Sequence, residues 1–313
     1  MEAKYSKEQI TAYFERISLP AKLWTYDVSG LDAKASLEIV KSLIKHHLTS
    51  VPFENLALHY SPHRTVVLHP EEVYRKIVTN RRGGYCMELN ATFGCLLRSL
   101  GYTLYHVGAR VNSSPTAQSF GPFNHMLNIV TIGSDRYLVD VGFGSNYVPT
   151  VPVRLINDAT GFSNVPPASA RLVFKAIEGA ANPYAKLWVY QHRTGPDVND
   201  GGWKDMYCFN ADLEFRHDDF EMMNYWTSTS KKSIFTHKVI CNKMIFGEGD
   251  QREDIVGTIG LMRELKRRVG KESTILNDFD EEKDRVDALK QHFGISLSEV
   301  EREAIRGTVD EIK

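Results

Sequence analysis

Near residue 101 the apolar residues of this chain change period, and that switch limits the fold more than any other feature of the sequence. Before it they recur at helical spacing. Ser6, with Gln9 three residues later, reads as a capping box, and Ile10, Tyr13, Phe14 and Ile17 then share one helix face. Leu37, Val40 and Ile44 mark a second helix, and Val73 and Ile77 a third, opened by Pro70 at a first helical position. A fourth begins near Cys86 and stops at Gly101. Beyond the switch, residues 105–111, 126–132 and 137–141 are short runs rich in β-branched and aromatic side chains. Gly133-Ser134-Asp135-Arg136 reads as the hairpin loop between the last two. Residues 155–205 mix Pro, Gly, Asn and Ser with brief strand-like pieces such as 187–190, which predicts long surface loops. Strands at 239–246 and 258–261 and helices at 281–293 and 298–305 complete the pattern, and there is no internal repeat.

Charge narrows the function. Thirty-eight basic residues against 39 acidic ones leave a formal charge of -1, so no global field recruits nucleic acid or an anionic membrane. Residues 1–10 are polar, and no run approaches the roughly 18 apolar residues needed to span a bilayer. The four cysteines (Cys86, Cys95, Cys208, Cys241) are too scattered for a disulfide framework and form no CxxC pair, so no metal site is expected. A cytoplasmic location follows as the default, one that keeps thiols reduced. With no coiled-coil pattern or sustained apolar stripe, the expected state is a monomer.

The segment Arg82-Gly83-Gly84-Tyr85-Cys86-Met87-Glu88-Leu89-Asn90 carries the most chemical information. Two glycines bring the backbone close to a cysteine that then opens an apolar helix. The unpaired amides and dipole of a helix N-terminus favour a negative sulfur, and the same amides can hold an oxyanion. A small buried cysteine packed at a helix start is the simpler reading of that segment alone. A thiol nucleophile needs a base, and the base needs a group that fixes its tautomer. His125 stands at a strand entry in Gly121-Pro122-Phe123-Asn124-His125, and Asp140 lies inside the apolar run 137–141, where an unpaired carboxylate is costly. A four-residue loop sets Asp140 across from Ile129, on the same sheet face as His125 but about 13 Å along the strand, a gap that a bulge, strong twist or different register must close.

At these residues the chain resembles the arylamine N-acetyltransferase family, whose hallmarks are Arg-Gly-Gly-x-Cys-x-Glu-x-Asn, a strand-borne His and a Val-Asp-x-Gly-Phe-Gly segment. All three occur in that order, with further similarity at Val51-Pro52-Phe53-Glu54-Asn55-Leu56 and from Asp219-Phe220-Glu221 through Phe235. The resemblance implies an α+β fold: a helical N-terminal domain (1–101), a β-barrel middle domain (102–215) and an α/β C-terminal lid (216–313) around a cysteine protease-like catalytic core. It implies a triad of Cys86, His125 and Asp140, with acyl-CoA (acetyl-, propionyl- or malonyl-CoA) as co-substrate and no permanently bound cofactor. The implied acceptors are arylamines, arylhydrazines or arylhydroxylamines, transferred to by ping-pong kinetics.

Phe143 matches a family position that lines the acceptor slot, and Phe123 and Tyr85 are further candidates. For the donor, Trp226 is expected to stack on adenine and Lys231 or Lys232 to meet phosphates. The family's usual Ser-Thr-Ser-Pro-x-Ser-x-Phe reads here Ser228-Thr229-Ser230-Lys231-Lys232-Ser233-Ile234-Phe235. Gly121 could let the pantetheine arm approach, although Pro122 removes one amide donor. A malonyl carboxylate would need a cation; Arg110 is the candidate, although a strand arginine more often points to water, and Arg82 is expected to brace the backbone. A thioester hydrolase or transglutaminase-like enzyme with the same triad, and a non-catalytic binding protein, are the competing classes.

Overall fold

The computed structural model describes residues 3–114, 119–157, 160–182, 184–195 and 202–313. The first hundred residues form helices α1 (Lys7–Arg16), α2 (Ala33–Ser50), α3 (Pro70–Tyr74) and α4 (Cys86–Ser99), with a short strand β1 (Phe53–Glu54) between the second and third. Local chemistry starts them where the sequence indicates. Ser6 Oγ accepts from Gln9 N at 3.2 Å while Gln9 Oε1 accepts from Ser6 N at 2.9 Å, and Asp32 Oδ1 accepts from Ala35 N at 2.7 Å at the start of α2. The third helix is less regular than its spacing implies, because α3 runs straight into a π-helical turn, Arg75–Thr79.

Eight strands follow: β2 (Thr103–Ser114), β3 (Ser119–Ile132), β4 (Asp135–Val139), β5 (Val153–Arg154), β6 (Phe162–Ser163), β7 (Ala168–Ala176), β8 (Lys186–Thr194) and β9 (Lys204–Phe209). They form one antiparallel sheet in the order β5-β4-β3-β2-β9-β8-β7-β6. The sheet curls into a half-barrel over its own core, which includes Val107, Leu127, Ile129, Tyr190 and Tyr207. Its two outer strands do not pair with each other, so the β-barrel expected from the resemblance is an open one. The chain continues through α5 (His217–Thr229), β10 (Cys241–Phe246), β11 (Ile255–Leu261), β12 (Glu264–Val269), β13 (Glu272–Asp278), α6 (Glu282–Phe293) and α7 (Glu299–Ala304). Here β1 joins a second sheet, β1-β10-β11-β12-β13, with Phe53 across from Asn242 and Glu54 across from Cys241. The segment that packs against the loop ahead of Cys86 is thereby stitched to the last third of the chain.

Several elements differ from the sequence expectations for physical reasons. The region 155–205 holds long paired strands as well as loops, and residues 158–159, 183 and 196–201 of it lie outside the described residues. Helix α5 and strands β12 and β13 have no counterpart among the expected elements. Only Phe220, Met223 and Thr227 of α5 are buried, β12 is dense in charge, and every residue of β13 is exposed, so none presents a strong apolar period. No helix among the described residues is long and apolar enough to cross a membrane.

The hairpin between β3 and β4 is the correction that matters most. Its ladder pairs Ile132 with Asp135 and Asn128 with Val139, so the turn is the two residues Gly133 and Ser134 rather than four. Continuing that ladder one step sets Asp140 across from Leu127. The separation from His125 falls to two residues, about 6.6 Å of strand, and both side chains keep the same face.

Candidate active site

Cys86 is the first residue of α4 and is 4% exposed. The backbone in front of it is pinned residue by residue. Gly83 N donates to Glu54 Oε1 at 3.1 Å, Gly84 O accepts from Glu54 N at 2.9 Å, and Tyr85 N donates to Glu88 Oε2 at 3.1 Å. A Cβ on Gly83 would stand 1.9 Å from the Pro52 carbonyl oxygen, which explains the glycine: the chain entering β1 lies too close for any side chain. Glu88 is held in turn by Lys76 Nζ at 2.6 Å, and Glu54 has Lys76 at 3.9 Å and Arg82 at 3.8 Å. Arg82 also pairs with Glu301 at 2.7 Å, so its side chain ties the loop to α7.

Strand β3 carries His125. A bulge between the β2 pairs Ala109–His125 and Arg110–Phe123 leaves Asn124 without a partner residue, and Asn124 directs its carbonyl at Cys86 Sγ, 3.6 Å away. His125 Nε2 lies 2.8 Å from Asp140 Oδ2. Asp140 Oδ1 accepts from Asn90 Nδ2 and from Gly142 N, each at 2.8 Å, so the buried carboxylate is fully partnered. Asn90 also donates to Met126 O at 2.7 Å and accepts from Val141 N at 2.9 Å. One turn after Cys86, it binds the cysteine's helix to the Asp140 loop. The fit leaves no slack, because a Cβ on Gly142 would lie 2.7 Å from both Cys86 Cα and Asn90 Nδ2.

Electrostatics follow from this geometry. Burial alone would pull the His125 imidazole down, but the charge and hydrogen bond of Asp140, helped by the nearby Cys86 sulfur, push it up to about 10. With Nε2 taken by Asp140, Nδ1 is the nitrogen left for the thiol. Since the folded value exceeds the ordinary 6.5, the stability this group contributes is complete below 6.5 and is lost as pH rises through about 10. Long-range 1H–15N NMR is therefore expected to find His125 doubly protonated at pH 8 and deprotonating near 10, with the transition moving down in Asp140→Asn; a neutral ring at pH 7 in the wild-type protein would contradict this.

Aromatic rings wall the site. His125 lies 5.2 Å from both Phe143 and Tyr207, ring centre to ring centre, Phe143 and Tyr207 are 4.9 Å apart, and Tyr190 stacks beneath Tyr207 at 5.0 Å. Phe123 stands 5.1 Å from Phe215. Arg110 does not point to water: it is half-buried, with its guanidinium 4.1 Å over the Phe123 ring and Nη1 donating to Gly121 O at 3.1 Å. Phe123, Gly121 and Arg110 thus form one braced unit beside the bulge.

Of the sequence candidates for donor binding, Gly121 lies on β3 beside the bulge, whereas Trp226, Lys231 and Lys232 lie on α5 and the turn after it. Trp226 is half-buried, while Lys231 and Lys232 are exposed. None of the three hydrogen-bonds to Cys86, His125 or Asp140. Helix α5 reaches the site through Asn224, whose Oδ1 accepts from the Tyr85 hydroxyl. Asn90, the Asn124 carbonyl and Tyr207 are the contributors that sequence reasoning missed. Asn90 had a usable signal, an amide four residues after Cys86 and hence on the same helix face, whereas Tyr207 had none.

The fold and the sequence define a class. The family model for N-acetyltransferase matches residues 36–302, and the chain belongs to that family. Among its relatives, N-malonyltransferase FDB2 of Gibberella moniliformis is 33% identical over 323 residues, covering 96% of this chain and 92% of the relative. Arylamine N-acetyltransferase 2 of Mus musculus is 29% identical over 299 residues, covering 92% and 94%. The solved arylamine N-acetyltransferase of Mycobacterium marinum in complex with CoA is similar with a TM-score of 0.74 at 26% identity, covering 97% of this chain and 99% of that one.

Proposed function

We propose that this chain transfers an acyl group from an acyl-CoA to an aromatic amine through a thioester on Cys86, with His125 as acid and base and Asp140 orienting the ring. The observation that carries this reading is a buried cysteine at a helix N-terminus facing the bulge that precedes His125, with His125 Nε2 2.8 Å from a carboxylate held by three donors. In the first half-reaction the Cys86 sulfur attacks the thioester carbonyl, the bond to the CoA sulfur breaks, and His125 gives its proton to the departing CoA. Acylation removes the sulfur's support for the imidazolium, so His125 becomes a base. The amine nitrogen then attacks the Cys86 thioester, its proton passes to His125, and Cys86 leaves as the thiolate. Aromatic amines are largely unprotonated at neutral pH, so they need orientation more than activation, and the partly exposed rings of Phe143 and Phe123, the first backed by Tyr207, are the apolar surface for that purpose.

Within this reading, residues 1–101 supply the nucleophile, 102–215 the histidine and aspartate, and 216–313 the lid, around a cysteine protease-like core. The chain acts as a monomer in the cytoplasm; the four cysteines, all buried and free, suit a reducing compartment. A second donor is favoured by a specific observation: the N-malonyltransferase relative is more similar over more of this chain than the mouse arylamine N-acetyltransferase is. Steady-state rates with acetyl-, propionyl- and malonyl-CoA against one aromatic amine decide between donors. Parallel double-reciprocal lines are the expected pattern, and intersecting lines would reject the covalent route.

Lys231 and Lys232 have no carboxylate partner among the described residues, and we assign them to the donor's phosphates with Trp226 against its adenine. Changing both lysines to Ala is expected to raise the donor KM several-fold and leave the acceptor KM alone. An unchanged donor KM removes them from the site.

A further inference from the structure

We infer that Arg16, on the last turn of α1, is a positioning residue for the nucleophile: its guanidinium fixes the carbonyls of the chain that runs into Cys86. The inference rests on the reading of Cys86 as the acylated group. Arg16 is 4% exposed and has no carboxylate partner among the described residues. Its donors go instead to four carbonyls on three segments of chain. Nε donates to Ile77 O at 2.8 Å, Nη1 to Ser50 O at 2.7 Å, and Nη2 to Arg82 O at 3.0 Å and Arg81 O at 3.3 Å. Burying a cation against carbonyls alone is costly, and its neighbour Arg82 shows the ordinary solution by pairing with Glu54 and Glu301. Burial first, and then the charge of Arg81, lower the Arg16 guanidinium to about 10.

The carbonyls it holds belong to an irregular stretch of backbone. Ile77 lies in the π-helical turn, and Arg81 has φ +53, a left-handed conformation that a non-glycine residue adopts at a cost. From Gly83 to Tyr85 each residue is already tied by Glu54, Pro52 or Glu88. At Arg82 the chain is also held by its own N–H, which donates to Lys76 O at 3.0 Å, and by its ion pairs with Glu54 and Glu301; Arg16 adds the anchor on the carbonyl side, at both Arg81 O and Arg82 O. A planar fork can reach four acceptors in fixed directions, whereas a lysine ammonium offers one point charge. A small drift at Arg81 would move Cys86 relative to His125 and the Asn124 carbonyl, and misplacement by about 1 Å can cost roughly 100-fold in rate.

The test is Arg16→Lys, alone and combined with Arg81→Gly, in the full chain. Single-turnover acylation by acetyl- and malonyl-CoA is followed by intact mass, with circular dichroism as the check on folding. For the folded Arg16→Lys protein the expected result is acylation slowed by roughly 10- to 100-fold, a donor KM within about twofold of wild type, and faster amide exchange at 81–86. Arg81→Gly, which removes the left-handed penalty, should restore part of the rate in the double variant. Wild-type acylation and wild-type amide protection in Arg16→Lys would overturn the inference, as would a slow Arg16→Lys that Arg81→Gly does not relieve. If the wild-type protein itself forms no adduct at Cys86, the functional reading fails instead, and the two failures are distinguishable.

Discussion

Cys86→Ala and Cys86→Ser are each expected to lower acyl transfer by at least about 10⁴-fold, the scale on which removal of a covalent nucleophile acts. Every other contributor at the site works on that sulfur. The Asn124 carbonyl faces it at 3.6 Å, His125 is raised in part by it, and the Gly142 backbone closes against its Cα. Serine preserves size and position, so loss of activity there isolates sulfur chemistry from packing. A hydroxyl is a far weaker acid than a thiol, and a histidine pushed up to about 10 by its carboxylate is built to share charge with a thiolate. Measured by release of free CoA in the presence of an aromatic amine, a Cys86→Ser protein with native circular dichroism and wild-type turnover would reject the mechanism.

Asp140→Asn should cost about 10³- to 10⁴-fold in kcat/KM, by analogy with a serine protease triad in which the same change leaves the geometry but inverts the tautomer. Two effects combine here. Asp140 raises His125, so an amide would let burial win and leave the ring neutral near pH 7. It also accepts from three donors at once, and an Asn side chain keeps only one oxygen, so either Asn90 and Gly142 together, on Oδ1, or His125, on Oδ2, lose their acceptor. The loss should therefore appear in kcat more than in donor KM. An Asp140→Asn enzyme within tenfold of wild type would remove Asp140 from the account.

Much of this site is legible in the amino-acid sequence, and the reasons divide by residue. Two glycines ahead of an apolar helix announce Cys86 because close backbone approach and a helix start both leave marks in sequence. Asp140 stands out because a carboxylate in an apolar run demands partners. What brings Asp140 within reach of His125 is not legible, since Gly133-Ser134-Asp135-Arg136 accommodates either a two- or a four-residue turn, and the choice shifts the pairing by two residues. The bulge at Asn124 and the ring of Tyr207 depend on strand pairings far apart in sequence, which no local period encodes. Strands β12 and β13 escape because an exposed, charged ribbon lacks the alternation by which strands are recognised. Arg16 escapes for the converse reason: a lone arginine at a helix end reads as a surface charge until its four carbonyls are seen.

Peptide mapping of the protein after brief exposure to an acyl-CoA, with no acceptor present, bears on the central claim most directly. The expected result is a single acyl group on the peptide containing Cys86, discharged when an aromatic amine is added. An acyl group on any other residue, or amine acylation at full rate with Cys86 never modified, would contradict it.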